Sequence, residues 1–407
     1  MSSKTSLQAV VIGAGPAGLM AAEQLAKYQI SVAVYDAMPS VGRKFLRAGI
    51  GGLNLTHSED KPAFLNRYQP REVVAPWLEA FDADDLVQWA KELGVETFVG
   101  SSGRVFPTQK KAAPLLRAWL KRLKESGVTI ETRHRWLGWD DDGDLIMQSP
   151  EGDLVVKSQV VIFALGGGSW ARLGSDGHWL SLFQKQGIDC LPFRPSNCGF
   201  NYTWSEEFKR SQAGQPLKGV VLNCNGHTKK GDATLSHYGI EGSLVYGLSA
   251  TIRDQIELVG EAKVYWDLLP DFSVEEIQIK LQKRRAKDSL SNVLRKQLSL
   301  TGSKLALLKA LISKEQMQDL AALPHLLKQL PQTLQSCRPI DEAISTAGGV
   351  AMTALTDGLM IKSMPGTFCV GEMLGWDAPT GGYLLTACYA SGVIAADAAA
   401  AYLRDEL

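Results

Sequence analysis

The sequence has no charge imbalance: Lys and Arg total 43 of its 407 residues, and Asp and Glu another 43. No global field draws the chain to nucleic acid or an anionic membrane, so any such attraction has to come from a local patch. The six cysteines (Cys190, Cys198, Cys224, Cys337, Cys369 and Cys388) include no CxxC pair, which argues against a zinc ribbon or a redox dithiol. The six histidines lack metal spacing such as HExxH, no GxSxG elbow or P-loop occurs, and no metal is expected. No run of 18 strongly apolar residues exists. The nearest, Leu384 to Leu403, is Ala-rich and carries Asp397, and reads as a buried helix rather than a membrane span. The opening MSSKTSLQAVVIGAGPAG lacks a secretory layout, because its apolar stretch runs straight into glycines; a reducing cytoplasm is the expected compartment. Internal repeats and low-complexity tracts are absent. What is left is a globular composition, 45% hydrophobic and 21% charged, of a length that predicts two or three domains.

The first sixty residues carry the strongest signal. Leu7 to Ile12 is a short apolar, β-branched run. Gly13-Ala14-Gly15-Pro16-Ala17-Gly18 follows, then LMAAEQLAKY with helical apolar spacing, then a second apolar run, Ile30 to Tyr35, ending at Asp36. Strand, glycine turn, helix, strand and acid agree with a dinucleotide-binding βαβ unit. Gly13 allows the tight exit from the strand, Gly15 lets a pyrophosphate approach the backbone, and Gly18 lets the helix pack on the sheet. Pro16 suits the first helical turn. The free N–H groups there, Ala17 included, hold an anion with the helix dipole. Asp36 can accept from a ribose diol, and its charge disfavours a 2′-phosphate.

The residues after Asp36 favour FAD over a plain nicotinamide fold. Arg43 and Lys44 supply cations, and Gly49, Gly51, Gly52 and Asn54 mark a backbone passing close to something. Further on, Gly103–Pro107 precedes a helical stretch, Ala112 to Glu125. Gly127 to Thr132 reads as a strand, Asp140 to Asp144 as a hairpin turn, and Gln159 to Leu165 as a buried strand entering the turn at Gly166. Near the end, a strand at Thr367 to Val370 leads to Gly371 and Glu372. Gly381, Gly382, Tyr383 and Leu384 then open a long helix. An acid and a Gly-Gly helix start suit a flavin: the acid can bond a ribityl hydroxyl and the helix N-terminus can face the ring.

Taken together, these segments resemble the HI0933-like family of flavoproteins, also called the YhiN or BaiN type, over nearly the whole chain. The resemblance rests on GAGPAGLMAA, GRK…AGIGGLNLTH, GRVFP, LGGGSWARLGSDG, SHYGIEG, TAGGV and GEMLGWDAPTGGY. It implies an α/β fold: a glutathione-reductase-type, FAD-binding Rossmann-like domain with an inserted β-rich, barrel-like and helical region. It also implies tight, non-covalent FAD near the residues just named, and NADH or NADPH as a transient donor. The expected division is a discontinuous FAD domain, 1–190 plus 335–407, with a β-rich insert at 191–272 and a helical insert at 273–334. Two departures suggest a divergent subfamily: Leu53 stands where the family has an Arg-Cys step, and GGYLLT replaces GGYNLQ, with Leu384 and Thr386.

No catalytic constellation stands out. His57, His237 and Tyr383 are the candidate proton donors near a flavin, and Tyr238 is a similar one. Two segments are basic: 104–135 has 9 basic and 2 acidic residues, and the helical region around 280–314 has a similar excess. They are a candidate RNA surface. The leading expectation is an NAD(P)H-driven, FAD-dependent reductase of an activated C=C bond in a metabolite or nucleobase. The alternatives are an FAD-dependent oxidase of an amine or other small metabolite, and a non-catalytic flavin-bound RNA- or protein-binding factor. A small-molecule substrate and no membrane partner are expected; the oligomeric state is not legible.

Overall fold

A computed structural model describes residues 5–285 and 288–405. The ends of the expected FAD domain at 1–4 and 406–407, and Lys287 of the second basic segment, lie outside the described residues. The chain divides into two compact units: 1–194 with 345–407, and 195–344.

The first unit is built on a sheet whose parallel strands run in the order Thr129–Thr132, Val32–Asp36, Thr5–Ile12, Gly152–Phe163 and Thr367–Cys369. Ala9, Val10 and Val11 are fully buried, as expected for parallel strands covered on both faces. The register aligns Ile12 with Tyr35 and with Phe163, Asp36 with Thr132, and Cys369 with Phe163. Five strand ends, and the loops that follow them, therefore meet at one edge, the switch point where doubly wound sheets bind ligands. An antiparallel hairpin, Arg135–Trp139 and Leu145–Ser149, is joined by the acidic turn and extends from Gly152–Phe163.

The Ala-rich segment is the helix Tyr383–Asp405. It is long and apolar enough to cross a membrane, yet it packs on the helix Pro16–Lys27. A Cβ at Gly392 would stand 2.6 Å from the Ala17 carbonyl oxygen, so small residues here serve close helix approach. Its one acid within the apolar stretch, Asp397, accepts from Gln24 and Tyr28 of that neighbour. Three helices, Lys61–Leu65, Arg71–Ala80 and Ala83–Glu92, occupy a stretch for which the sequence offers no motif.

The second unit is a seven-stranded antiparallel sheet running from Leu330–Leu334 to Ser336–Cys337. These first and last strands are separated by one residue, Gln335, so the sheet curls into a nearly closed barrel. Its longest hairpin, Gln215–Cys224 with His227–Ser236, turns at Asn225-Gly226 with φ of 48° and 80°, the Asn-Gly signature of a tight hairpin. The helices Val274–Gln282 and Leu290–Leu298 start at Ser273 and Ser289, whose side chains cap the first turn. The stretches read apart as 191–272 and 273–334 thus lie in one unit, because Leu281, Leu294, Leu308 and Leu327 share a core with barrel residues such as Leu222 and Trp266. The unit extends to Ile344 rather than 334, since Ser336–Cys337 is a barrel strand.

Candidate cofactor site

The loops at these strand ends line a solvent-open cleft of about 1110 Å³, a volume that includes the open solvent at its mouth. The first loop contributes Gly13, Gly15, Pro16 and Ala17; the second, Asp36, Arg43 and Lys44; the third, Gly166; the fourth, Gly371 and Glu372. Ten sequence-predicted cofactor residues are therefore brought to one wall. The others lie elsewhere: Gly18 inside the helix–strand contact, and Gly51, Gly52, Asn54, Gly381, Gly382, Tyr383 and Leu384 away from this cavity's lining.

The three loop glycines differ in what demands them. Gly13 has φ +106°, and a Cβ on it would lie 2.3 Å from the Ala164 carbonyl oxygen. At Gly18 a Cβ would lie 2.0 Å from the Gly13 carbonyl oxygen. At Gly15 the φ is −83°, and a Cβ would meet no atom within 4 Å. Neither backbone nor packing requires glycine at 15; the open space beside it is what a side chain would fill. That space faces the start of the helix Pro16–Lys27, which has no side-chain cap and no acid in its first turn, leaving its N–H groups for an anion.

Asp36 accepts from the Ala14 N–H on Oδ2 and the Met38 N–H on Oδ1, both at 2.8 Å. Burial raises its pKa above the usual carboxylate value, against these bonds and the nearby Arg43 and Arg135 charges. Each oxygen keeps a second lone pair for a ribose hydroxyl. Lys44 donates to Glu372 at 2.6 Å and to Ser169 at 2.7 Å, while the Thr346 N–H donates to the other Glu372 oxygen at 3.0 Å. Arg43 and Lys44 lie in the first turn of a helix, Arg43–Ala48, rather than in a loop. Arg43 Nε and Asn54 Oδ1 are buried without a hydrogen-bond partner. An open cradle at an uncapped helix start, an acid at the end of the second strand and an unpaired buried Nε on Arg43 all fit a dinucleotide of the FAD kind.

A second cluster forms around Tyr383. Its hydroxyl donates to Glu59 Oε1 at 2.6 Å, and Arg67 holds both Glu59 oxygens, at 3.0 and 2.7 Å. Burial works against the Glu59 carboxylate, but Arg67 and Tyr383 outweigh it and hold its pKa below the ordinary 4.5. Burial, then Glu59, push the Tyr383 phenol upward. His57 stacks on Tyr383 with centroids 5.3 Å apart, so two of the three candidate acids are neighbours. Both His57 nitrogens are engaged: Nε2–H donates to the Ser102 carbonyl and Nδ1 accepts from the Glu59 N–H. The Gly-Gly step is set by contact, since a Cβ at Gly382 would fall 2.4 Å from Thr56 Cα. Thr386 donates to the Gly382 carbonyl, which leaves Thr56 as donor to Thr386 at 2.9 Å. Leu53 is fully buried in the core. His237 lies in the other unit, edge-on to Tyr238, whose hydroxyl donates to Glu241. Glu59 and Arg67 carry no motif; only the closure of Tyr383 onto them reveals them.

The sequence profile of the HI0933-like protein Rossmann domain matches residues 7–398, and the chain belongs to that family. It is 25% identical over 390 residues to a ribosomal RNA dihydrouridine synthase of Haemophilus influenzae, spanning 92% of this chain and 94% of that protein. It is 24% identical over 409 residues to a 3-dehydro-bile acid delta(4,6)-reductase of Clostridium scindens, spanning 96% and 98%. Among solved structures, a 3-ketosteroid delta1-dehydrogenase from Sterolibacterium denitrificans aligns over 97% of this chain and 99% of its own, with TM-score 0.53 and 12% identity. A flavocytochrome c3 fumarate reductase aligns over 99% and 79%, with TM-score 0.50 and 16% identity. These structural likenesses establish the fold. The protein is an FAD-dependent oxidoreductase.

Proposed function

We propose that the protein is a reductase that saturates a C=C bond conjugated to a carbonyl, with a nicotinamide nucleotide as electron source. One observation carries this reading: the chain is similar, over more than nine-tenths of its length, to two kinds of relative whose names describe that bond change, in a uracil ring and in a bile acid. FAD, when bound, supplies the hydride chemistry. The chain's residues do the rest. The N–H groups at Pro16–Lys27 and the Asp36 carboxylate hold the nucleotide, and the Lys44–Glu372 ion pair stands in the cavity wall. Tyr383, kept protonated by burial and by Glu59, is the candidate acid, with Glu59 and Arg67 as positioning residues. The cytoplasm suits this reading, because it supplies reduced nicotinamide and all six cysteines are free thiols.

An RNA substrate would draw on the basic segments. Several of their charges are already committed: Arg122 to Glu23, Arg135 to Asp176 and Lys304 to two backbone carbonyls. Lys283 and Arg285 are exposed, so charge reversal at Arg284 and Arg285 should abolish salt-sensitive RNA binding if RNA is the substrate. The deciding experiment reduces the yellow protein anaerobically with NADH or NADPH, then offers a ribosomal RNA transcript or a 3-oxo-4,6-diene steroid. Bleaching by a nicotinamide and recovery of colour with one substrate supports the reading. Bleaching by an amine but by neither nicotinamide would replace it with an oxidase.

A further inference from the structure

Within the 195–344 unit, two cysteines 139 positions apart are brought together. Cys337 lies opposite Phe200 in the ladder, which the Arg338 N–H to Gly199 carbonyl bond continues. Cys198 therefore sits diagonally across from Cys337. The Cys198 backbone N–H donates to Ser249 Oγ at 3.2 Å, and its Sγ lies 3.5 Å from the same oxygen. Because Ser249 Oγ accepts from that N–H, its own proton is available to the sulfur. Ser249 opens the eleven-residue helix Ser249–Val259, whose N-terminal dipole favours negative charge. Arg253, one turn on, is 2% exposed. A hydroxyl, a helix N-terminus and a buried guanidinium thus surround one thiol, the setting that favours thiolate.

The titration behaviour agrees. The Cys337 thiol donates to Cys198 and, with Ser249 and Arg253, lowers the Cys198 pKa against burial. Burial raises those of Cys190, Cys224, Cys369 and Cys388. Cys198 is buried, whereas Cys337 is partly exposed.

We propose that Cys198 and Cys337 are a peroxide-reactive pair, Cys198 the attacking thiolate and Cys337 the resolving thiol. The Cys198 sulfur attacks one oxygen of hydrogen peroxide; the O–O bond breaks, and the departing hydroxide takes up a proton as water. Cys198 is left as a sulfenic acid. The Cys337 sulfur then displaces that oxygen, which leaves as a second water with the Cys337 proton. The two thiols lose two electrons and peroxide gains them. The disulfide fastens the strand that closes the barrel to the segment before Phe200, and requires no flavin.

The test treats the reduced full-length protein with stoichiometric hydrogen peroxide and maps its peptides without reduction. The expected result is a Cys198–Cys337 cross-linked peptide, with free thiols falling from six to four. Cys337→Ser should show a dimedone-trapped sulfenic acid on Cys198 in place of the cross-link, and Ser249→Ala should slow its formation several-fold while leaving Cys190 alkylation unchanged. A thiol count that stays at six, or oxidation that falls on the other four cysteines, overturns the proposal. The wild-type map decides even where a variant fails to fold.

Discussion

The nucleotide cavity and the Tyr383 cluster belong to one unit and are held in opposite ways. The cavity is kept open at the glycine turn: nothing stands beside Gly15, and the helix start it faces is uncapped. The cluster is closed by side chains, Tyr383 on Glu59 on Arg67, with Phe64 and His57 against the ring. A site made by leaving space and a site made by locking groups should fail differently when altered.

The largest effect separates two glycines of one loop. Gly18→Val forces a side chain into the Gly13 carbonyl and should destabilise the unit by about 3 kcal/mol, read by denaturant unfolding. Gly15→Val should change the stability of the flavin-free protein by no more than about 0.5 kcal/mol, yet yield colourless protein. Equal unfolding by both, or full flavin content in Gly15→Val, would break the contrast. Asp36→Ala should weaken FAD binding by roughly 1–3 kcal/mol in a fluorescence titration.

On the locked side, Tyr383→Phe removes one hydrogen bond to a charged group and should lower stability by about 1.5 kcal/mol while the protein stays yellow. The smallest effect is one of pH. The Glu59 pKa is depressed in the fold, so its contribution is complete above its ordinary 4.5 and is lost as pH falls through the folded value. The wild-type melting midpoint should therefore fall more steeply below that pH than that of Glu59→Gln.

Local chemistry made the nucleotide half legible. Gly13, Gly15, Gly18 and Asp36 act within one βαβ unit, where strand, turn and helix follow from neighbouring residues. The Ala-rich segment likewise read as a buried helix because Asp397 interrupts it. The three helices between 61 and 92 carry no cofactor chemistry and left no motif. The division at 194/195 and 344/345 was hidden because the helical stretch shares a core with strands far along the chain.

By itself, then, the order of residues determined the glycine turn, the acid that ends the second strand and the participation of both ends of the chain, since each depends on contacts a few positions long or on a recognisable segment. Tertiary structure alone decided that Lys44 faces Glu372, that Tyr383 is held by Glu59, and that Cys198 meets Cys337. These partners are separated by more than a hundred residues, and only the sheet register and the helix packing bring their side chains within bonding distance.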